Sequence, residues 1–177
     1  MYKRQSPYTF KKLELRSKVS SFAAQYLQVP LIYVNQIGAN DNLIFDGSSF
    51  VLDKNGSKIK QLKSFSEELS SWEIDQTKPE INKSEKSEMS SIFDALVLGV
   101  KDYAKKCGFK TALIGLSGGI DSALVSVIAM AALGSENIYC VSMPSKWNSS
   151  HSKSDAKDLA RRLNINFKSI PIGNFGS

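Results

Sequence analysis

Apolar residues recur along this chain with two periods, and the changes of period mark where elements begin and end. From Lys12 to Tyr26, the residues Leu15, Val19, Phe22, Ala23 and Tyr26 fall three or four apart, the spacing of one helix face. Pro30 stops that helix. Leu31 to Val34 is a short run of β-formers and predicts a buried strand. Leu43 to Asp46 and Ser49 to Leu52 predict two more, Asp53-Lys54-Asn55-Gly56 a turn, and Ile59 to Leu62 a returning strand. The pattern then fades. Ser66 to Ser87 carries Ser, Glu, Lys, Asp and Pro79 with few large apolar residues, and it reads as a linker or surface segment docked through Trp72 and Ile74. Near Glu88 the helical period returns. Ile92, Leu96, Val100 and Tyr103 predict a helix over Met89 to Cys107, with Gly108 placed to end it. After it, Thr111 to Gly115, Ile138 to Met143 and Asn166 to Ile170 read as strands, and Ser122 to Leu133 and Ser152 to Leu163 as helices. Such alternation with short connections predicts a parallel sheet joined by right-handed crossovers, with helices packed on it.

Composition narrows the class. A chain of 177 residues is one domain or pieces of two. With 42% hydrophobic and 23% charged residues it is neither disordered nor fibrous. The apolar run Ala123 to Leu133 is interrupted by Ser126 and is far short of the ~20 residues of a membrane helix. Met1 to Tyr8 is polar with no apolar stretch behind it, so neither a signal peptide nor a membrane span is expected. Cys107 and Cys140 are too few for a disulfide framework. They are expected to be packing thiols in a reducing, cytoplasmic setting. The net charge of +6 is scattered. Its densest group, Lys101, Lys105 and Lys106, sits at a helix end where cations favour the dipole. The pattern favours an anionic small molecule over nucleic acid as partner.

Candidate chemistry gathers in Gly115-Leu116-Ser117-Gly118-Gly119-Ile120-Asp121-Ser122, after a predicted buried strand and at the start of an apolar helix. Paired glycines let the backbone turn tightly without a Cβ in a ligand's way. Successive amides and the helix N-terminus then make a seat for phosphate oxygens, to which Ser117 and Ser122 can add hydroxyls. Asp121 repels a phosphate unless a Mg²⁺ ion lies between them. The stretch has no Gly-Lys-Ser/Thr and no G-x-G-x-x-G, so neither a kinase-type loop nor a dinucleotide fingerprint is expected.

The string resembles the pyrophosphate loop of the ATP-pyrophosphatase family, whose members adenylylate a substrate oxygen with ATP and hold the released pyrophosphate. Val141-Ser142-Met143-Pro144-Ser145-Lys146-Trp147 leading into Ser152-Lys153-Ser154-Asp155-Ala156 resembles the corresponding strand end of NAD synthetases. Both segments leave the carboxyl ends of strands, where open parallel sheets bind ligands. The resemblance implies an adenine contact at Met143 and a polar one at Ser145. Ser152 with Asp155 also fits a helix cap, and His151 reads as a surface loop residue. Earlier, Ser6-Pro7-Tyr8 with Lys12 and Arg16, then Pro30 to Gly38, Asp41 and Phe45-Asp46-Gly47-Ser48-Ser49-Phe50, resemble the end of a nitrilase-type carbon–nitrogen hydrolase domain. Glutamine-dependent NAD synthetases carry such an amidase domain ahead of the synthetase domain.

That resemblance implies an α/β chain in three parts. Residues 1–65 would be the C-terminal portion of an αββα nitrilase-like glutaminase domain, and 66–87 a linker. Residues 88–177 would begin a doubly wound, parallel-sheet domain of the adenine nucleotide alpha hydrolase kind. It implies glutamine contacts at Ser6 and Lys12, pyrophosphate contacts over Gly115 to Ser122, and a metal contact at Asp121. ATP and Mg²⁺, deamido-NAD, and glutamine or ammonia follow as substrates and cofactors, and a homo-oligomer as the assembly. The amidase Cys, Glu and Lys of the family lie upstream of the Ser-Pro-Tyr segment, so the chain is expected to be a piece of a larger enzyme, with no catalytic amidase residue and little activity alone. A GMP synthetase-like ligase or an inactive ATP-binding fragment are the alternatives. The nitrilase-like segments count against the first.

Overall fold

The computed structural model describes residues 6–74, 79, 87–147 and 149–173. Its chain packs as two units, Met1–Gly99 and Val100–Ser177. Of the predicted linker, residues 75–78 and 80–86 lie outside the described residues. Among the described residues, no helix is long and apolar enough to cross a membrane.

In the first unit, α1 (Lys12–Leu27) precedes five short strands: β1 (Leu31–Tyr33), β2 (Ile37–Asn40), β3 (Leu43–Asp46), β4 (Phe50–Leu52) and β5 (Lys58–Gln61). All pairings are antiparallel, in sheets ordered β1-β4-β5 and β2-β3. The central strand β4 is buried along its whole length. Ala24 of α1 is fully buried against Phe50 and Leu52. The helix therefore meets the sheet through its smallest side chain, beside Ser20 and Arg16. The apolar stripe that announces this helix faces the other way: Leu15, Val19, Phe22 and Tyr26 are 59–78% exposed. A close approach to β4 needs a small residue, and Arg16 finds its partner Asp46 on the sheet side.

Strand β2 is absent from the sequence expectation because Gly38 and Ala39 carry little β-signal. Its register with β3, Asn40 opposite Leu43, leaves Asp41-Asn42 as a two-residue hairpin loop. The predicted turn at Asp53 forms, with the Asp53 carboxylate accepting the amides of Asn55 (2.9 Å) and Ser57 (2.8 Å). Trp72 lines a hollow against β4, whereas Ile74, expected to dock as well, is 75% exposed.

Helix α2 (Glu88–Cys107) ends at Gly108, whose φ of +74° favours a residue without Cβ. The boundary between units falls within this helix. There follow β6 (Ala112–Gly115), α3 (Ile120–Leu133), a 3₁₀ turn (Ser135–Asn137), β7 (Ile138–Ser142), α4 (Ser150–Leu163) and β8 (Asn166–Ser169). The three strands form a parallel sheet ordered β6-β7-β8, with Ile114 opposite Cys140 and Cys140 opposite Phe167. Its core joins Leu116, Ala129, Ile138, Cys140, Ala156, Ala160 and Ile165, so α3 and α4 are held mainly by apolar burial. Cys140 is the expected packing thiol, 3.7 Å from the Ser126 hydroxyl. Cys107 is not: the last residue of α2, it is exposed. The cap of α4 also differs. Ser149, not Ser152, is the N-cap, and its hydroxyl accepts the Ser152 amide at 3.1 Å. Ser152 is thereby placed inside the first turn.

Candidate functional site

Leu116 anchors the glycine-rich loop. Its side chain is buried in the core, and its amide donates to the Val141 carbonyl at 2.9 Å, extending the β6–β7 ladder by one bond. From there the chain leaves the sheet at its carboxyl edge. Gly118 has φ of +86°, and a Cβ built on it would lie 2.2 Å from the Ser152 carbonyl oxygen. Only glycine lets the loop lean on the first turn of α4. This close approach joins Gly118 and Ser152, two residues far apart in the sequence.

Within the loop, hydrogen bonds close a ring. The Gly119 amide donates to the Ser117 hydroxyl oxygen (3.2 Å), and the two serine hydroxyls of 117 and 122 lie 3.0 Å apart. The Ser122 hydroxyl donates to the Gly119 carbonyl (3.0 Å). A hydroxyl has one proton. With that of Ser122 on Gly119, the proton between the serines belongs to Ser117. The Ser117 amide also donates to the Ser122 oxygen, at 3.2 Å. The ring turns the donors of Ser117 and Gly119 and the Ser122 hydroxyl inward and fixes the loop's curvature.

It leaves other donors open. Helix α3 starts after Gly119, which has no side chain to cap it. The amides of Ile120, Asp121 and Ser122 make no hydrogen bond to any described residue. Three unpaired amides at the positive end of a helix dipole form an anion seat.

Beside it lies a hollow of about 190 Å³ between the ends of β6 and β7. Gly115, Leu116 and Ser117 form one wall, Ser142, Met143 and Pro144 another, with Ser152 and Lys153 of α4 completing it. Met143 is 54% exposed, and its Cε reaches within 4.0 Å of where a Gly115 Cβ would stand. Ser117 and Met143 are thus brought to one space, while Gly118 to Ser122 and Ser145 are not among its walls. The Ser145 hydroxyl accepts the Trp147 amide at 3.2 Å. Lys153 was missed by reasoning that sought a lysine only inside the glycine-rich string; its place next to Ser152, at the start of the facing helix, was the available signal. Asp121 is exposed in the first turn of α3. Among the described residues, no three His, Cys, Asp or Glu side chains gather as a metal cage. A Mg²⁺ ion held by one carboxylate and phosphate oxygens needs none, and Asp121 beside open amides offers that donor set.

The first unit holds a different polar cluster. Arg16 is buried, and its Nη1 donates to both carboxylate oxygens of buried Asp46 (2.8 and 2.9 Å). Its Nε reaches the Ser6 hydroxyl oxygen (2.9 Å), and Nη2 the carbonyls of Ser6 (2.7 Å) and Pro7 (3.2 Å). Asn35 Nδ2 donates to the Ser6 carbonyl (3.2 Å) and to Asp46 (3.4 Å), and the Ser48 hydroxyl to Asp46 (2.8 Å). Lys12 opens α1, and its ammonium makes no hydrogen bond or ion pair with any described residue. Among the described residues, no hydrogen bond joins it to Ser6. Tyr8 stands edge-on to Phe65, and burial, then the negative charges of Asp46 and Glu88, push its phenol above the ordinary value. A larger hollow, about 350 Å³ and mainly apolar, lies between β4 and Trp72, and Asn35 and Ser48 of this polar cluster are among its walls.

Comparison with known proteins adds an independent line. Residues 92–176 match the family described as NAD synthase. A glutamine-dependent NAD(+) synthetase of Synechocystis sp. is 46% identical over 173 residues, covering 95% of this chain and 31% of that protein. One from Rhodobacter capsulatus is 40% identical over 94% of the chain and 31% of its own length. The solved glutamine-dependent NAD+ synthetase of Acinetobacter baumannii, in complex with adenosine diphosphate, superposes with a TM-score of 0.90 at 38% identity. That match covers 96% of this chain and 33% of the other. The chain spans about a third of the length of the relatives it matches.

Proposed function

We propose, from the match of residues 92–176 to the NAD synthase family and of 95% of the chain to about a third of a glutamine-dependent NAD(+) synthetase, that it supplies the ATP-binding heart of such an enzyme. In this reading the nicotinate carboxylate of deamido-NAD attacks the α-phosphorus of ATP, the bond to pyrophosphate breaks, and ammonia from glutamine then displaces AMP to give NAD. The observation that carries it is the row of open amides at Ile120 to Ser122, beside a hollow at two strand ends. That the Acinetobacter baumannii relative is solved in complex with ADP supports nucleotide binding in this reading.

The loop would hold the β- and γ-phosphates through those amides, stabilising the charge that develops on the leaving pyrophosphate. Met143 would pack against the adenine, and Lys153 would add a cation on the opposite wall. Asp121 would hold Mg²⁺, which when bound neutralises phosphate charge. Ser6 and Lys12 would contact glutamine, in a unit that forms the end of a nitrilase-like αββα domain. Residues 88–177 would begin the doubly wound synthetase domain, after a linker at 66–87.

Assaying the full-length gene product with deamido-NAD against xanthosine monophosphate, each with ATP and ammonia, tests the reading. Turnover of the first alone is expected. Turnover of the second alone would make it a GMP synthetase-like ligase.

A further inference from the structure

A guanidinium has five N–H donors in one plane, and Arg16 directs all five at named acceptors: two at Asp46, two at backbone carbonyls of Ser6 and Pro7, one at the Ser6 hydroxyl oxygen. Such a buried cation is costly without a carboxylate partner, and Asp46, 2% exposed, provides it while also being held by Asn35 and Ser48. The arrangement has a consequence for Ser6. Its oxygen accepts from Arg16, and its own proton meets no acceptor among the described residues. A hydroxyl that accepts from a cation becomes a stronger donor.

We propose that Arg16, locked on Asp46, is a positioning residue: it fixes the Ser6 hydroxyl as a hydrogen-bond donor toward the carbonyl or carboxylate oxygen of a bound amide substrate. The inference rests on the reading of Ser6 as a glutamine contact. Lysine cannot replace Arg16, because an ammonium has three donors from one nitrogen and cannot serve all five of these contacts at once. Ser48 acts at one further remove, by orienting Asp46.

The experiment measures the glutamine KM and kcat of NAD synthesis by the full-length gene product, each variant's kcat being divided by its own ammonia-supported rate. Arg16→Lys is expected to raise the glutamine KM about tenfold or more, with normalised kcat within about twofold. Ser48→Ala, a milder change that keeps the ion pair, is expected to raise KM by roughly two- to threefold, and it decides the matter if Arg16→Lys does not fold. Ser6→Ala separates the two claims. If Ser6→Ala raises KM while Arg16→Lys and Ser48→Ala leave it unmoved, the positioning role is wrong and the Ser6 contact stands. If Ser6→Ala itself leaves KM unmoved, the Ser6 reading falls and the inference with it. A fall in kcat and melting temperature at constant KM would also overturn it, since a purely structural ion pair would do that.

Discussion

The two units treat polar groups in opposite ways. In the first, charge goes inside: Arg16 and Asp46 are buried together, and Ser6, Asn35 and Ser48 complete their hydrogen bonds. In the second, the core is mainly apolar, with Ser126 buried against Cys140, and the amides at Ile120 to Ser122, by the sheet's carboxyl edge, are open among the described residues. A satisfied network rigidifies what it joins. Open donors gain only when something arrives to accept. Polar substitutions in the first unit should therefore act on structure as well as on binding, and those in the second mainly on ligand affinity.

The largest expected effect is an exception that sharpens this contrast. Gly118→Ala puts a Cβ against the backbone of Ser152, 2.2 Å from its oxygen, at positive φ. It should cost ~3 kcal/mol or more in urea unfolding, and nucleotide binding as well. Intact nucleotide affinity in this variant would mean that the loop does not need to lean on α4.

Next comes a direct pairing of units. Arg16→Ala strands Asp46 in the interior and should destabilise by about 3–5 kcal/mol. Ser117→Ala opens the hydroxyl ring of the loop and should cost about 1 kcal/mol or less, yet weaken ATP binding roughly tenfold. Reversal of these two ranks, by chemical denaturation and calorimetric titration, would break the comparison.

Asp121→Asn is smaller still for stability, within about 0.5 kcal/mol, because the side chain is exposed. Its effect should show as a loss of roughly tenfold in Mg²⁺-dependent ATP affinity, with little change in the metal-free affinity. Equal losses with and without the metal would assign it another role.

The smallest effect is pH-dependent. Folded Tyr8 holds its proton more tightly than the unfolded chain does, through burial and then the nearby carboxylates. The stability it contributes is complete below the unfolded pKa of 10.0 and fades as pH rises through the higher folded value. Tyr8→Phe should remove a late-ionising step from the ultraviolet titration; an unchanged titration curve would contradict this.

The same contrast explains what was legible in the sequence. Ile138 to Val141 reads as a short apolar run of strand length, and the alternation with α3 and α4 follows, although the burial of β7 itself alternates, with Tyr139 exposed. The glycine-rich string is legible because few backbones other than a tight strand–helix turn need Gly118 and Gly119 together. The first unit is harder to read. The buried face of α1 is set by an ion pair reaching 30 residues along the chain to Asp46, which periodicity does not carry. Among the serines around position 150, Ser149 and Ser152 are both chemically fit to cap α4, and only the path of the loop chooses Ser149. Lys153 enters the site through the contact of Gly118 with Ser152, a tertiary fact.

The account depends most on the open amides after Gly119. Magnesium pyrophosphate titrated into the ¹⁵N-labelled chain, followed by amide NMR, tests them directly. Saturable shifts should be largest at Ile120, Asp121 and Ser122, smaller at Lys153, and absent in the first unit. Shifts scattered over surface lysines, with those three amides unmoved, would contradict it.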